Sequence, residues 1–274
     1  MDRRTALKAI AGTAASLGAR RHVRSVAPAP ITPGLQLYTV RSEMQKDVEA
    51  TLARVAVIGY REVEFAGYFG RSPRQVASLL TANGLTAPAT HLSQDIMRQR
   101  WEAALDESAT IGHRWVVVPS IRAADRESAE SYKRVAAEFN VAAARAKARG
   151  LSFAYHNHDF ELKPLGGTSG LDVLLQECDP ALVAFELDLY WLVRGGRDAV
   201  QFVAQHPGRF PLVHVKDMAP DGAMAEVGKG ELAFQRIFDA TRGGIRHFFV
   251  EHDNPASPFD SITTSIAALR RLSA

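Results

Sequence analysis

From Gly34 onward the chain alternates eight short runs rich in β-branched and aromatic residues with eight longer amphipathic stretches. That rhythm commits it to repeated β-α units around a parallel sheet. The runs occupy residues 35–39, 62–65, 86–91, 115–119, 152–156, 183–188, 212–216 and 247–251. Helical patterns fall between and after them at 48–58, 73–83, 100–111, 127–149, 170–177, 197–205, 233–240 and 257–272. Gly59, Gly84, Gly112 and Gly150 each stand just ahead of a strand, where a left-handed residue ends the preceding helix. Eight such pairs in a chain of 274 residues predict closure into a single (β/α)8 TIM barrel over residues 31–274. An open doubly wound sheet is disfavoured, because no Gly-rich dinucleotide loop follows the first strand.

Charge separates the N-terminus from the rest. The whole chain carries a formal +3 from 33 Lys and Arg against 30 Asp and Glu. Residues 1–30 hold six of the basic groups, Arg3, Arg4, Lys8, Arg20, Arg21 and Arg24, against the single acid Asp2. The remaining body has 27 basic and 29 acidic groups, a formal −2, which offers little grip on a nucleic-acid backbone. The single cysteine, Cys178, excludes an intramolecular disulfide, so the core must hold the fold. Arg3-Arg4-Thr5-Ala6-Leu7-Lys8, followed by the mildly apolar 9–19, resembles a bacterial twin-arginine export signal and is too short to anchor stably in a bilayer. The expectation is a leader over 1–30 and a periplasmic or exported protein. The alternative is a basic tail on a cytoplasmic enzyme.

In such barrels chemistry gathers at the carboxyl ends of the strands. Six of the eight strand ends here carry polar residues that a core would reject. They are Glu62-Val63-Glu64, His91, Tyr155-His156-Asn157-His158-Asp159-Phe160-Glu161, Glu186-Leu187-Asp188, His214-Val215-Lys216-Asp217 and Glu251-His252-Asp253. One charged strand end is ordinarily the start of a solvated loop; six together argue for a site. Asp188, His214 and Glu251 end consecutive strands six, seven and eight, and would face one another across a gap that an ion fills. Carboxylate oxygen with imidazole nitrogen suits Mn²⁺, Co²⁺, Zn²⁺ or Fe²⁺, and Mg²⁺ less well. Strand five leaves the fourth ligand open: His156 and His158 alternate onto one side, Glu161 lies just beyond, and an imidazole there could equally polarise a substrate oxygen. Trp191, three residues after Asp188, is placed to stack on a sugar face. The glycine-rich 166–170 reads as a flexible loop and helix cap before it reads as an anion cradle.

Gly34-Leu35-Gln36-Leu37-Tyr38-Thr39, the strand-five, strand-six and strand-seven segments above, and Val227-Gly228-Lys229-Gly230-Glu231 together resemble the sugar phosphate isomerase/epimerase family, the xylose isomerase-like barrels, from about residue 34 to the end. The resemblance implies one divalent ion, with Mn²⁺ the expected occupant, held by a Glu, Asp, His, Glu set from strands five to eight. Asp188, His214 and Glu251 match the last three. Glu161 is taken as the first, with His156, which aligns best with the family position, as its rival. The resemblance also implies that Glu64 and His91 face the pocket and that Lys216, beside His158, contacts substrate oxygens.

The implied chemistry is enediolate formation on a small ketose or keto-sugar, giving isomerisation or epimerisation. Glu251 would serve as ligand and base, opposite Glu64 or a histidine such as His91 or His156. The same enediolate can expel a neighbouring leaving group, so a lyase or dehydratase acting on an inosose or a 3-keto-glycoside is the alternative, and export favours an unphosphorylated substrate. The expected partner is a small sugar, with no nucleic acid, no stable membrane insertion and a homodimer left open. A non-enzymatic alternative, an exported sugar-binding protein, is disfavoured because unused buried charge is costly.

Overall fold

A computed structural model describes residues 31–272. The leader assigned to 1–30 lies outside the described residues. Eight parallel strands close into a barrel in which each pairs with its sequence neighbours and the first pairs with the last. The barrel strands are Pro33–Gln36, Glu62–Phe65, Thr86–His91, Trp115–Val118, Ser152–His156, Val183–Asp188, Leu212–Val215 and His247–Val250. A two-stranded hairpin, Asp217–Met218 with Met224–Ala225, rises from the loop after the seventh strand. No described helix is long and apolar enough to cross a membrane.

Four strands run as the sequence predicts, and the first departs most. Instead of continuing to Thr39 it stops at Gln36, and Leu37–Val40 forms a 3₁₀ turn. The Gln36 side chain accepts the Tyr38 N–H at 3.0 Å, which bends the chain out of the sheet. Among the helices, the one predicted from Arg100 begins six residues earlier, at Gln94, where Ser93 caps it. Arg100 is itself the break, at φ −145° and ψ 33°, so the sequence period shows only the second half. Helices Arg41–Lys46 and Leu189–Arg194 leave no period in the sequence because each is only six residues long. The four predicted helix-ending glycines all have positive φ, from 61° at Gly84 to 114° at Gly59.

Side chains alternate along each strand between the helix-facing core and the barrel interior. Outward-facing Leu35, Val63, Phe153, Tyr155, Phe185, Leu187, Val213 and Val215 are all fully buried beneath the helices. Inside the barrel, Ala89, Val117, Ala154, Leu212 and Phe249 form a separate apolar plug. Gly34 makes room for it: a Cβ there would sit 2.6 Å from the Phe249 ring. Above this plug, at the carboxyl ends of the strands, the interior positions turn polar.

Candidate active site

Two residues beyond the plug on each strand stand His91, His156, Glu186, His214 and Glu251, with Asp188 and Lys216 one further pleat up. Strand register fixes the neighbours: His156 lies opposite Glu186, and Asp188 opposite His214. Asn157 locks two strand ends together, accepting the Asp188 N–H at 2.9 Å and donating to the Asp188 carbonyl at 3.4 Å.

The polar groups form two layers. In the upper one, Asp188, His214 and Glu251 offer ligand atoms within 4.8 Å of one another. His214 Nδ1 lies 2.7 Å from Glu251 Oε2 and 3.9 Å from Asp188 Oδ2. Lys216 reaches the same carboxylates, at 3.0 Å from Asp188 and 2.8 Å from Glu251, and a third at 2.7 Å from Asp253. In the lower layer His91, His156, Glu186 and His214 form a second such group. Glu64 Oε2 lies 2.8 Å from His214 Nε2 and accepts from Gln36 Nε2 at 2.8 Å.

These contacts set the charges. Burial alone would raise Glu186 and Glu251, but the His214, His156 and His91 rings outweigh it at the first, and Lys216 and His214 at the second, so both carboxyls lie well below the usual range. Burial dominates at Asp188 and pushes its carboxyl up to about 6. It also works to lower His91, where Glu64 and Glu186 overcome it and raise the ring's pKa. Burial wins at His156, which falls well below its ordinary value, and at His158, which falls to about 3.

A cavity of about 420 Å³ opens on the upper layer, lined by Tyr38, His91, Ser120, His156, His158, Lys216, Glu251 and Asp253 among others. Of the predicted site residues, His91, His156, His158, Lys216 and Glu251 face it. Asp188 and His214 are fully buried and do not line it; they pair with Lys216 and Glu251, which do. Glu64 departs from expectation: it does not line the cavity but lies opposite Ala89 of the plug, one pleat below His91, fully buried against His91 and His214. Trp191 is also set back, its ring 5.6 Å from that of His158 and 5.8 Å from the Lys216 ammonium, so it backs those residues rather than the cavity.

Glu161, the preferred fourth ligand, is not brought to either group. The chain turns sideways after His158, and the Glu161 carboxylate accepts the Tyr155 hydroxyl and, at 2.9 Å, the His158 backbone N–H. Tyr155 faces away from the barrel interior, so Glu161 is buried on the helix side of the wall and pins the His156–His158 segment from behind. His156, the rival, stands with the group instead, its Nε2 3.8 Å from Asp188 Oδ2. The residue that sequence reasoning missed is Glu186. It lies two residues before Asp188, and the pleat alternation that turns one inward turns the other inward too.

The Asp217 and 227–231 motif has a structural purpose. The Asp217 carboxylate accepts the backbone N–H groups of Met218, Gly228, Gly230 and Leu232 at 2.9 to 3.1 Å. A Cβ on Gly230 would meet that carboxylate at 2.4 Å. In the 166–170 loop Ser169 caps the following helix, as the plainer reading expected.

Comparison with known proteins agrees with this architecture. A sugar phosphate isomerase/epimerase from Parabacteroides distasonis superposes with a TM-score of 0.78 at 29% identity, over 90% of this chain and 96% of that one. A second from the same organism superposes at 0.76 with 26% identity, over 86% and 96%. An inosose dehydratase of Clostridium perfringens is 30% identical over 105 residues, which are 38% of this chain and 34% of the relative. The match thus spans about a third of that curated relative's length. The family model described as xylose isomerase-like TIM barrel matches residues 52–272, and the chain belongs to that family.

Proposed function

We propose that the protein is a divalent-metal-dependent isomerase or epimerase acting through an enediolate on an unphosphorylated ketose or keto-sugar. The observation that carries this reading is the convergence of Asp188, His214 and Glu251, the last of which lines a cavity whose wall holds three imidazoles and a lysine. The donor set fits a cation. Asp188 Oδ2 is buried without a hydrogen bond, and Asp188, Glu251 and Asp253 put three carboxylates around one lysine. Asp188, His214, Glu251 and His156 would hold the ion, for which Mn²⁺ is the first candidate. Bound there, it would supply Lewis-acid polarisation of a carbonyl and stabilise the charge of an enediolate.

The remaining roles fall to side chains. Glu251, kept ionised by Lys216 and His214, takes the proton from the carbon beside the carbonyl. His91 faces the cavity from the opposite wall, where Glu64 and Glu186 raise its pKa. His158, held neutral, and Lys216 hydrogen-bond the sugar hydroxyls, and Trp191 braces both from behind. Among the described lining residues Lys216 is the only Lys or Arg, and it is already matched by three carboxylates. A phosphate would find no cation of its own there, which supports an uncharged substrate and accords with export by a twin-arginine leader. The partial kinship to an inosose dehydratase supports a second reading, in which the enediolate expels a β-hydroxyl and the enzyme is a dehydratase.

Calorimetric titration of the metal-loaded protein with matched pairs of free and phosphorylated ketoses, and with inososes, tests the substrate class. Binding confined to unphosphorylated members is expected, and abolished by Asp188→Asn. Preference for the phosphorylated member would overturn the assignment.

A further inference from the structure

Three imidazole nitrogens from three different strands converge on a single carboxylate oxygen in the lower layer. His91 Nε2, His214 Nε2 and His156 Nδ1 lie 2.8, 3.0 and 3.4 Å from Glu186 Oε2. All four residues are buried but for His91, which is 10% exposed and opens onto the cavity. We propose that His91, His156, Glu186 and His214 form a second cation site beneath the first, suited to a zinc-like divalent ion.

The donor set makes the case. Three imidazoles and one carboxylate give four ligands of the type and number that Zn²⁺ takes in tetrahedral sites, whereas Mg²⁺ and Ca²⁺ prefer oxygen. Glu186 Oε1, Glu64 Oε1 and His156 Nδ1 are buried without any hydrogen-bond partner, although three rings and two carboxylates are packed within reach. Leaving such atoms bare costs folding free energy, and an ion held by Glu186 and His156 relieves that cost at those two residues.

Charge points the same way. The two layers hold five carboxylates, those of Glu64, Glu186, Asp188, Glu251 and Asp253, against one lysine. Five carboxylates against one lysine leave a net negative charge that one divalent ion only halves; a second ion lowers the excess further. Two rings are placed to serve both layers. His214 turns Nδ1 to Glu251 and Nε2 to Glu186, and His156 turns Nε2 toward Asp188 and Nδ1 toward Glu186. With both sites filled, His214 would bind an ion through each nitrogen, and its N–H proton would pass to water.

Metal counting tests this without reference to activity. Chelator-stripped protein would be reloaded with Zn²⁺, desalted and assayed by inductively coupled plasma mass spectrometry. Two ions per chain are expected for the native sequence, and one for each of Glu186→Gln, His91→Gln and Asp188→Asn. Circular dichroism serves as the folding control, and the two lower-layer variants guard against either one failing to fold. One ion in the native protein, retained by Glu186→Gln and lost in Asp188→Asn, would overturn the second site and leave the proposed function standing. Two ions unaffected by either lower-layer substitution would place the second ion elsewhere and refute the assignment. No ion at all would refute both.

Discussion

Replacing Glu161 by Gln separates two roles that this carboxylate could have. Its side chain is fully buried, and burial pushes its pKa up to about 7 from the ordinary 4.5. Between those values the folded protein holds a proton that the unfolded chain has released. Stability therefore falls as pH rises across that window, and the loss is complete above 7. A shift of that size corresponds to about 3 kcal/mol. Gln reproduces the protonated acid: its amide donates to the Tyr155 oxygen and its carbonyl accepts from the His158 N–H. Urea unfolding of both proteins from pH 4.5 to 8 should give a difference that grows with pH in favour of Glu161→Gln, approaching about 3 kcal/mol above pH 7. Because the other titrating groups are common to both proteins, the difference isolates Glu161. Metal content should be unchanged. A flat difference across the window, or loss of a bound ion in the variant, would refute the placement of Glu161 outside the ligand set.

Two further outcomes follow from groups remote from the ion ligands. His113 is buried, with Nδ1 2.6 Å from the Ala87 carbonyl and Nε2 3.1 Å from the Tyr68 hydroxyl, and burial lowers its pKa to about 4. The unfolded chain takes up a proton between about 6.5 and 4 that the folded one refuses, so acid should cost up to about 3 kcal/mol through this residue. His113→Gln should show a shallower loss of stability over that range in pH-dependent urea titrations. Asp217→Ala should free the 227–232 loop, costing at least about 3 kcal/mol and admitting protease cleavage there, whereas Asp217→Asn should lose less. Limited proteolysis with mass-spectrometric mapping would read both.

The fold was legible because a parallel barrel buries its strands on both faces, so each reads as an uninterrupted β-branched and aromatic run. Val183–Asp188 and Ser152–His156 could be bounded to the residue. The first strand misled because one hydrogen bond from the Gln36 side chain, invisible to periodicity, ends it early. In the site, Asp188, His214 and Glu251 were readable as the ends of consecutive strands. Glu186 was equally readable from the two-residue repeat and was passed over beside its more exposed-looking neighbour. Glu161 misled for the opposite reason. It lies beyond the strand, where the pleat no longer dictates direction, and its partner Tyr155 faces the helices. Whether Glu64 touches the cavity depends on barrel stagger, which strand pairing sets and a linear sequence does not display.

Solvent deuterium uptake measures directly the proposed cation-assisted proton removal at the barrel mouth. Manganese-loaded protein and its Asp188→Asn variant would be incubated in D₂O with free ketoses, inososes and 3-keto-glycosides, and the carbohydrates analysed by mass spectrometry. One deuterium entering the carbon beside the carbonyl, with the native protein alone, is the predicted result, and loss of water from the labelled sugar would identify a dehydratase. Metal-loaded protein that binds a sugar from this panel yet labels none would contradict the account.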